Sequence, residues 1–394
     1  MKLNLKLPKI TLPNFPIPKA GLILFIVIAL SMVSFLGYKA VTLGNSLASI
    51  SKDKTSISEE LSELKNQDQV KINLELKGNI KNIESTYSSA VSSYEKLLKF
   101  KESNDDTEDL DKLFTQSLVL LSKQNYTEAS STLAKLNSQI DTEEAKLAAV
   151  VVSIPQNVPA SNAPPGSGYS RQQVNSDAGT FLVSIVAADL GSTKVIVDTA
   201  SDSTCTDNCP VLPLATYVSR SGAYAGVNGS YFCPATYPSC AGKTNSFDLL
   251  VMNKNKTYFN SDNNVYSNNP AVIFGGGYIR FVGAASQWGR DTGIDGMLSN
   301  YPLLVSGGNI TFGGDDDPKK GSKGNRSFVA NKGNAVYIGV VHSATVAESA
   351  RVMKALGMEN ALNLDDGGST ALWSGGYKVG PGRELPNVIL FVGK

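Results

Sequence analysis

From Ala20 to Tyr38 the chain reads AGLILFIVIALSMVSFLGY, apolar or weakly polar throughout and free of charge. A helix of that length crosses a hydrocarbon core of roughly 30 Å. Lys2, Lys6, Lys9 and Lys19 precede it with no acid among them, so the positive-inside rule places the N-terminus in the cytoplasm and the rest of the chain outside. No small-x-small cleavage site closes the apolar run, which therefore reads as an uncleaved signal anchor at residues 20–38. Pro8, Pro13, Pro16 and Pro18 make residues 1–19 an extended cytoplasmic tail. The expected location is the cell membrane, single-pass, with the C-terminal part extracellular.

Over residues 46–150 the pattern changes to helical spacing. Ile80, Ile83, Tyr87, Val91 (or Ala90), Tyr94 and Leu97 recur at steps of three and four, with Lys, Glu, Ser and Asn between them. Ser103 to Thr107 interrupts this stripe, and Asp106 or Thr107 is placed to cap a second helix from Glu108 to Lys123. A third helix, Thr127 to Ala149, turns Ala129, Leu133, Leu136 and Ile140 inward. The segment reads as an antiparallel helical hairpin or short coiled coil, a spacer without chemistry of its own, through which the chain self-associates if it has a protein partner. Residues 151–169, with VPASNAPPGSG from Val158 to Gly168, form a semi-rigid linker.

Residues 170–394 follow a third pattern, short Val- and Ile-rich runs between turn clusters. Phe181–Ala188, Lys194–Val197, Ala223–Val227, Ala271–Phe274, Ala335–Val341 and Val388–Val392 are predicted strands. The clearest helix spans Val346 to Leu356, where Thr345 and Glu348 form a capping box and Gly357 supplies the C-terminal left-handed position. Many strands and few helices define an α+β domain with a mixed or antiparallel sheet, preceded by a transmembrane helix and an all-α stalk.

A formal net charge of +1 over 394 residues argues against a nucleic-acid partner and supplies no steering field for acidic substrates. Cys205, Cys209, Cys233 and Cys240 fit two short-range disulfides in an oxidising compartment, although spacing alone does not fix their connectivity. Their spacings match no zinc ribbon or finger, and a single histidine, His342, argues against His-based metal sites. His342 ends an apolar strand and reads as a packed or edge residue.

The stretch richest in chemistry is Asn363-Leu364-Asp365-Asp366-Gly367-Gly368-Ser369-Thr370, where a buried strand spills into a glycine turn that presents two carboxylates, an amide and two hydroxyls. It resembles the Asn-Leu-Asp-Gly-Gly-Gly-Ser segment of the phosphodiester glycosidase family, the group that contains the uncovering enzyme. Asn228-Gly229-Ser230-Tyr231-Phe232 is similar to that family's Asn-Gly-Gly-Phe-Phe element. Pro302 to Gly308, Asn325 to Ala330 and Arg383 to Asn387 resemble its further elements, in the same order. The resemblance covers Ser170 to Lys394 and does not extend to the stalk. Asp366 stands where the family usually has Gly, and Ser230 where a second Gly is common.

The resemblance implies hydrolysis of sugar-1-phosphodiester bonds in an exopolysaccharide, a teichoic-type polymer or another envelope glycan. Its oxocarbenium-like transition state calls for carboxylates: Asp365 as nucleophile, base or cation stabiliser, and Asp366 as a partner, with Asp248, Asp291 and Asp295 as other sources of the second carboxyl group. Arg326 and Arg383 suit the phosphodiester, because a guanidinium grips phosphate oxygens bidentately. Asn228, Asn363 and Asn387, with Ser369, either bind sugar hydroxyls or bridge backbone. Gly229, Gly367 and Gly368 let backbone N–H groups face an oxyanion. Asn228-Gly229 also fits a hairpin turn, and Asn228-Gly229-Ser230 a glycosylation sequon. No cofactor is fixed by these residues; a divalent cation, Ca2+ or Mg2+, is the one candidate, with its ligands unassigned. The competing function is a non-catalytic glycan-binding or envelope-scaffolding module on the same fold, for which Asp366 in place of Gly is the main support.

Overall fold

The computed structural model describes residues 19–102, 104, 106–149, 157–264, 266–291 and 293–394. The expected tail up to Pro18, with Lys2, Lys6, Lys9 and its prolines, lies outside the described residues, as do Ser103, Asp105 and the start of the linker through Gln156. The chain divides into two compact units, Met1–Ile83 and Glu84–Lys394.

In the first unit helix α1 (Lys19–Asn66) is continuous, and helix α2 (Asp68–Lys101) begins after a bend at Gln67. Among the described residues one helical stretch, Leu24–Lys65, contains a run long and apolar enough to cross a membrane.

The second unit combines the rest of α2, helix α3 (Glu108–Ser122), helix α4 (Tyr126–Ala149) and the sheets. Leu97, Phe100, Leu110, Leu136 and Ile140 pack as one apolar cluster, and Ala90, Leu121, Ala129 and Leu133 as another. Burying this stripe is what holds such helices, since propensity alone leaves short helices marginal in water. The inward side of α2 is narrower than its periodicity predicts. Ala90 and Leu97 are buried, whereas Ile80, Tyr87 and Val91 are exposed.

Three sheets follow, and every ladder within them is antiparallel. Among the described residues the largest has seven strands, in the order Gly168–Ser176, Gly179–Asp189, Ala335–Ala344, Gly324–Lys332, Asn360–Asp366, Leu303–Ser306 and Asn309–Ile310. A five-stranded sheet runs Tyr377–Val379, Leu372–Ser374, Ala225–Asn228, Asn387–Gly393 and Thr193–Thr199; another runs Tyr258–Phe259, Val251–Met252, Gly296–Ser299, Ala271–Gly275 and Tyr278–Val282. Their Val- and Ile-rich inner faces meet in one core that draws Val186, Val197, Val227, Val251, Val272, Leu364 and Phe391 together. Burial on both faces explains the near-continuous apolar strands.

The other face of the large sheet is covered by the helix Val346–Ala355, through Val346, Ala350, Val352 and Met353 against Val183, Phe328 and Val341. Thr345 and Glu348 close the capping box reciprocally, so Glu348 holds a helix terminus. Gly339 is glycine for a packing reason, because a Cβ there would overlap the Ser184 carbonyl and the Phe328 ring.

This architecture orders the cost of two substitutions. Phe328→Ala empties a fully buried site and should cost about 3–5 kcal/mol, whereas Thr345→Ala removes one cap for about 1 kcal/mol. Urea unfolding of the two variants checks this ranking, and equal losses would count against the packing described.

Candidate active site

The site forms where the central strand Asn360–Asp366 ends. Asp365 donates its backbone N–H to the Gly229 carbonyl at 2.9 Å, and the Asp365 carbonyl accepts from Asn228 Nδ2 at 2.7 Å. Asn228 is fully buried, and its Oδ1 accepts from Ser327 Oγ and from the Ala371 N–H. It therefore bridges backbone and is shut off from sugar hydroxyls. Burial also excludes it as a glycosylation acceptor in the folded chain, and it ends a strand without turning a hairpin. Asn387 does a similar task, accepting from the Ser230 N–H at 2.8 Å and donating to Ser230 Oγ at 2.9 Å. Gly229 must be glycine, because a Cβ would overlap the Asn387 side chain and carbonyl. The serine that replaces the expected second glycine is thus absorbed by a buried hydrogen-bond pair.

The two adjacent carboxylates have different surroundings. Asp366 Oδ2 accepts from Arg326 Nη1 at 3.0 Å, Asn363 Nδ2 at 3.0 Å and Tyr231 Oη at 3.3 Å. Arg326 is itself 2% exposed. Its Nε donates to the Ala344 carbonyl and its Nη2 to the Lys319 and Ser322 carbonyls. That commits the Arg326 guanidinium to holding Asp366 and the Lys319–Ser322 loop. Asn363 Nδ2 also donates to Tyr231 Oη at 2.8 Å, so Tyr231, Asn363 and Arg326 together fix Asp366. Burial, with the Asp366 charge beside it, keeps the Tyr231 phenol well above its ordinary range.

Asp365 has no cation of this kind. Burial pushes its carboxyl up to about 7; a Ser369 hydrogen bond opposes the rise and the Asp366 charge adds to it. Two neighbouring carboxyl groups in unlike surroundings are the usual setting for an acid–base group that works near neutrality.

Arg383 faces the same space. Its Nη1 lies 3.3 Å from Ser369 Oγ, its Nη2 pairs with the Glu102 carboxylate, and its guanidinium lies 5.4 Å from the Tyr237 ring centre. The cleft has a volume of about 350 Å3 and is lined by Arg326, Asp365, Asp366, Gly367, Gly368 and Arg383, with Tyr231, Tyr237, Tyr301 and the Cys233–Cys240 loop as walls. Gly367 turns the chain at φ +59°, a backbone that favours glycine.

Both cysteine pairs are resolved as disulfides, Cys205–Cys209 and Cys233–Cys240. The other carboxylates offered by the sequence lie elsewhere: Asp295 pairs with Lys194 at 3.1 Å, Asp291 accepts from the Gly293 N–H, and Asp248 does not line the cleft. His342 is also remote from it, bonded to Ser184 Oγ and Asn325 Oδ1, with burial lowering it to about 4. Among the described residues no group of three His, Cys, Asp or Glu gathers to hold a metal.

Several cleft residues were not recognisable as such from sequence. Asp317 lines the cleft while capping the short helix Pro318–Gly321. More consequential is α2. Glu95 Oε1 accepts from the Ser239 N–H at 2.9 Å, Lys99 Nζ donates to Ser322 Oγ at 2.7 Å, and Glu102 meets Arg383. Burial and the Arg326 charge lower Lys99 to about 8. These three residues sit at helical steps of four and three, but so do many charges on a solvated helix face, and nothing in the sequence singles them out.

Residues 221–392 match the family model described as phosphodiester glycosidase. That match spans much of the sheet-bearing part of the chain and leaves out its first three strands, Gly168–Ser176, Gly179–Asp189 and Thr193–Thr199. No curated protein sequence matches the chain. Among solved structures, a hypothetical protein from Synechocystis aligns with a TM-score of 0.45 at 14% identity, over 57% of this chain and 62% of that one, less than two thirds of its length. The zebrafish N-acetylglucosamine-1-phosphodiester alpha-N-acetylglucosaminidase catalytic domain, auto-inhibited by its pro-peptide in that structure, aligns with a TM-score of 0.43 at 13% identity, over 60% of this chain and 86% of that one.

The raised Asp365 makes stability depend on pH in a definite direction. The folded chain binds this proton more tightly than the unfolded chain, so the stabilisation is complete below about pH 4 and disappears as pH rises to about 7, a loss on the order of a few kcal/mol. Asp365→Asn should flatten that slope and be the more stable protein at alkaline pH. Urea titrations across the range check it; a slope shared by both proteins would contradict the assignment. Arg326→Met should cost about 3–5 kcal/mol by stranding a buried Asp366, and adding Asp366→Asn should recover part of the loss in a double-mutant cycle.

Proposed function

We propose that the chain is a membrane-anchored hydrolase of sugar-1-phosphodiester bonds, with its glycosidase domain outside the cell and its substrate in an envelope glycan or exopolysaccharide. The observation that carries this reading is the pairing, in one cleft, of a buried Asp365 poised near neutrality with a guanidinium, Arg383, set against a glycine turn. The apolar helix and the two disulfides support the anchoring and the compartment.

In this reading Arg383, with backbone N–H groups of Gly367 and Gly368, takes the phosphodiester. The C1–O bond to phosphate breaks while water bonds to C1. Ionised Asp365 removes the water proton and stabilises positive charge at C1, and the phosphate leaves as a monoester that needs no proton from an acid. Asp366 acts as an anchor of the strand end through Arg326, Asn363 and Tyr231, so Arg326 positions it and does not meet the phosphate. Glu102 already meets Arg383, so an incoming phosphate shares or displaces that contact. This contact is the specific observation behind the second reading, a glycan-binding module without turnover. A divalent cation, for which the described residues supply no gathered ligand set, is included as an arm of the test.

The full chain, purified in detergent, is incubated with a GlcNAc-α-1-phosphodiester and with UDP-GlcNAc, with and without Ca2+ or Mg2+, and free sugar is followed by NMR. Sugar release should fall at least ~100-fold in Asp365→Asn, and kcat/KM should rise as pH passes about 7, where Asp365 ionises. Turnover that persists in Asp365→Asn sinks the mechanism. Saturable binding without product selects the second reading.

A further inference from the structure

Helix α1 does not end with its apolar segment; it continues unbroken to Asn66. Beyond Tyr38 its large aliphatic residues are Val41, Leu43, Leu47, Ile50, Ile57, Leu61 and Leu64. All but Val41 fall on one ladder of alternating four- and three-residue steps: Leu43, Leu47, Ile50, Lys54, Ile57, Leu61, Leu64. The intervening positions are mostly Ser, Thr, Lys, Asp and Glu. Each aliphatic residue on the ladder is more than half exposed. A period of 3.5 residues does not follow one straight face of a single 3.6-period helix; it keeps a seam turned towards another helix that supercoils with it. The ladder stops where the helix does, because its next positions after the bend at Gln67 include Lys71, Glu75 and Gly78.

We propose that this seam, residues 43–64, is the interface of a parallel, in-register coiled coil between copies of this chain. The charges select that occupant and that orientation. With Leu47, Lys54 and Leu61 at a, and Leu43, Ile50, Ile57 and Leu64 at d, the flanking g positions are Asp53 and Glu60 and the e position after Leu64 is Lys65. In a parallel pair g faces the e of the next heptad, so Glu60 meets the partner subunit's Lys65, and Asp53 flanks the partner subunit's Lys54. In an antiparallel pair g faces g, which sets Asp53 and Glu60 against like charges. Lys54 is the one polar residue inside the seam, a placement that fixes register at some expense of stability. Leucine at a with isoleucine at d favours more than two strands, so the number of copies is read from the experiment. This inference is independent of the glycosidase reading and goes beyond it.

All four cysteines of the chain are in disulfides, so a single introduced thiol reports on its own position. Cys replaces Ile50, Ile57 or Leu64 on the seam, or Lys52 or Glu59 on the opposite face, in the full chain in detergent. Covalent dimers should form several-fold faster at all three seam positions than at Lys52 and Glu59, and wild-type mass from light scattering should be a multiple of 41.8 kDa after subtraction of detergent. Cross-linking at only one seam position would indicate an antiparallel pair and overturn the proposal. A monomeric mass, or equal rates around the helix, would overturn it too. Ile57→Glu with Leu61→Glu should yield monomers whose thermal unfolding of the Glu84–Lys394 unit is unchanged; monomers that also lose that transition would show the seam to be needed for folding instead.

Discussion

The buried ion pair between Arg326 and Asp366 is the constraint around which the site is arranged. Neither partner is tolerable alone in that environment, since breaking such a pair strands an uncompensated charge. Arg326 reaches across from the neighbouring strand, and in holding Asp366 it also holds the Lys319–Ser322 loop and the end of the Ala335–Ala344 strand. Three pieces of backbone thereby converge on one guanidinium. The neighbouring carboxyl group is left without such a partner, and burial raises it towards neutrality. One residue along the chain thus separates an anchored carboxylate from a titrating one. The difference comes from the strand geometry, which aims successive side chains into different surroundings.

The same geometry explains what was legible in the sequence. Strands and the Val346–Ala355 helix carry their own signals, through Val- and Ile-rich runs and a capping box, and the structure has them where the pattern places them. The Asn363–Thr370 segment announces itself because so many polar groups leave a core strand together. The tasks of individual residues were less readable. Asn228 and Asn387 look like ligand-binding amides in a sequence, but a buried amide with both ends engaged is a joint between strands. Arg326 looks like a phosphate clamp, and only its four acceptors show that its donors are committed. Sequence supplies the chemical type of a side chain; the register between strands decides whether that chemistry faces a cavity or a neighbour.

The helices show the opposite failure. Their periodicity correctly predicts buried Leu133, Leu136 and Ile140, yet it says nothing of where polar residues on the other side come to rest. Glu95, Lys99 and Glu102 meet Ser239, Ser322 and Arg383, residues more than a hundred positions away. A spacer would leave these side chains in water. Here the Lys99 ammonium is buried enough to fall to about 8, and a Cβ on Gly368 would overlap the Glu102 carboxylate. The two glycines thus serve different ends: Gly367 turns the chain after Asp366, and the absence of a side chain at Gly368 admits Glu102.

This arrangement makes the helical core part of the site's geometry. Leu97 and Phe100 lie on the same turns of α2 as Lys99 and Glu102, and they are held by Leu110, Leu136 and Ile140. The depth at which Glu102 enters the cleft is consequently set by packing between α2, α3 and α4 as well as by its attraction to Arg383. An ion pair between partly exposed side chains is worth at most about 1 kcal/mol, too little to dock a helix unaided. Apolar burial fixes α2, the Glu95 and Lys99 hydrogen bonds set its rotation, and Glu102 arrives at Arg383 as a result. A ligand anion that takes Arg383 from Glu102 therefore has only a weak local contact to overcome, while the helices beneath keep their packing.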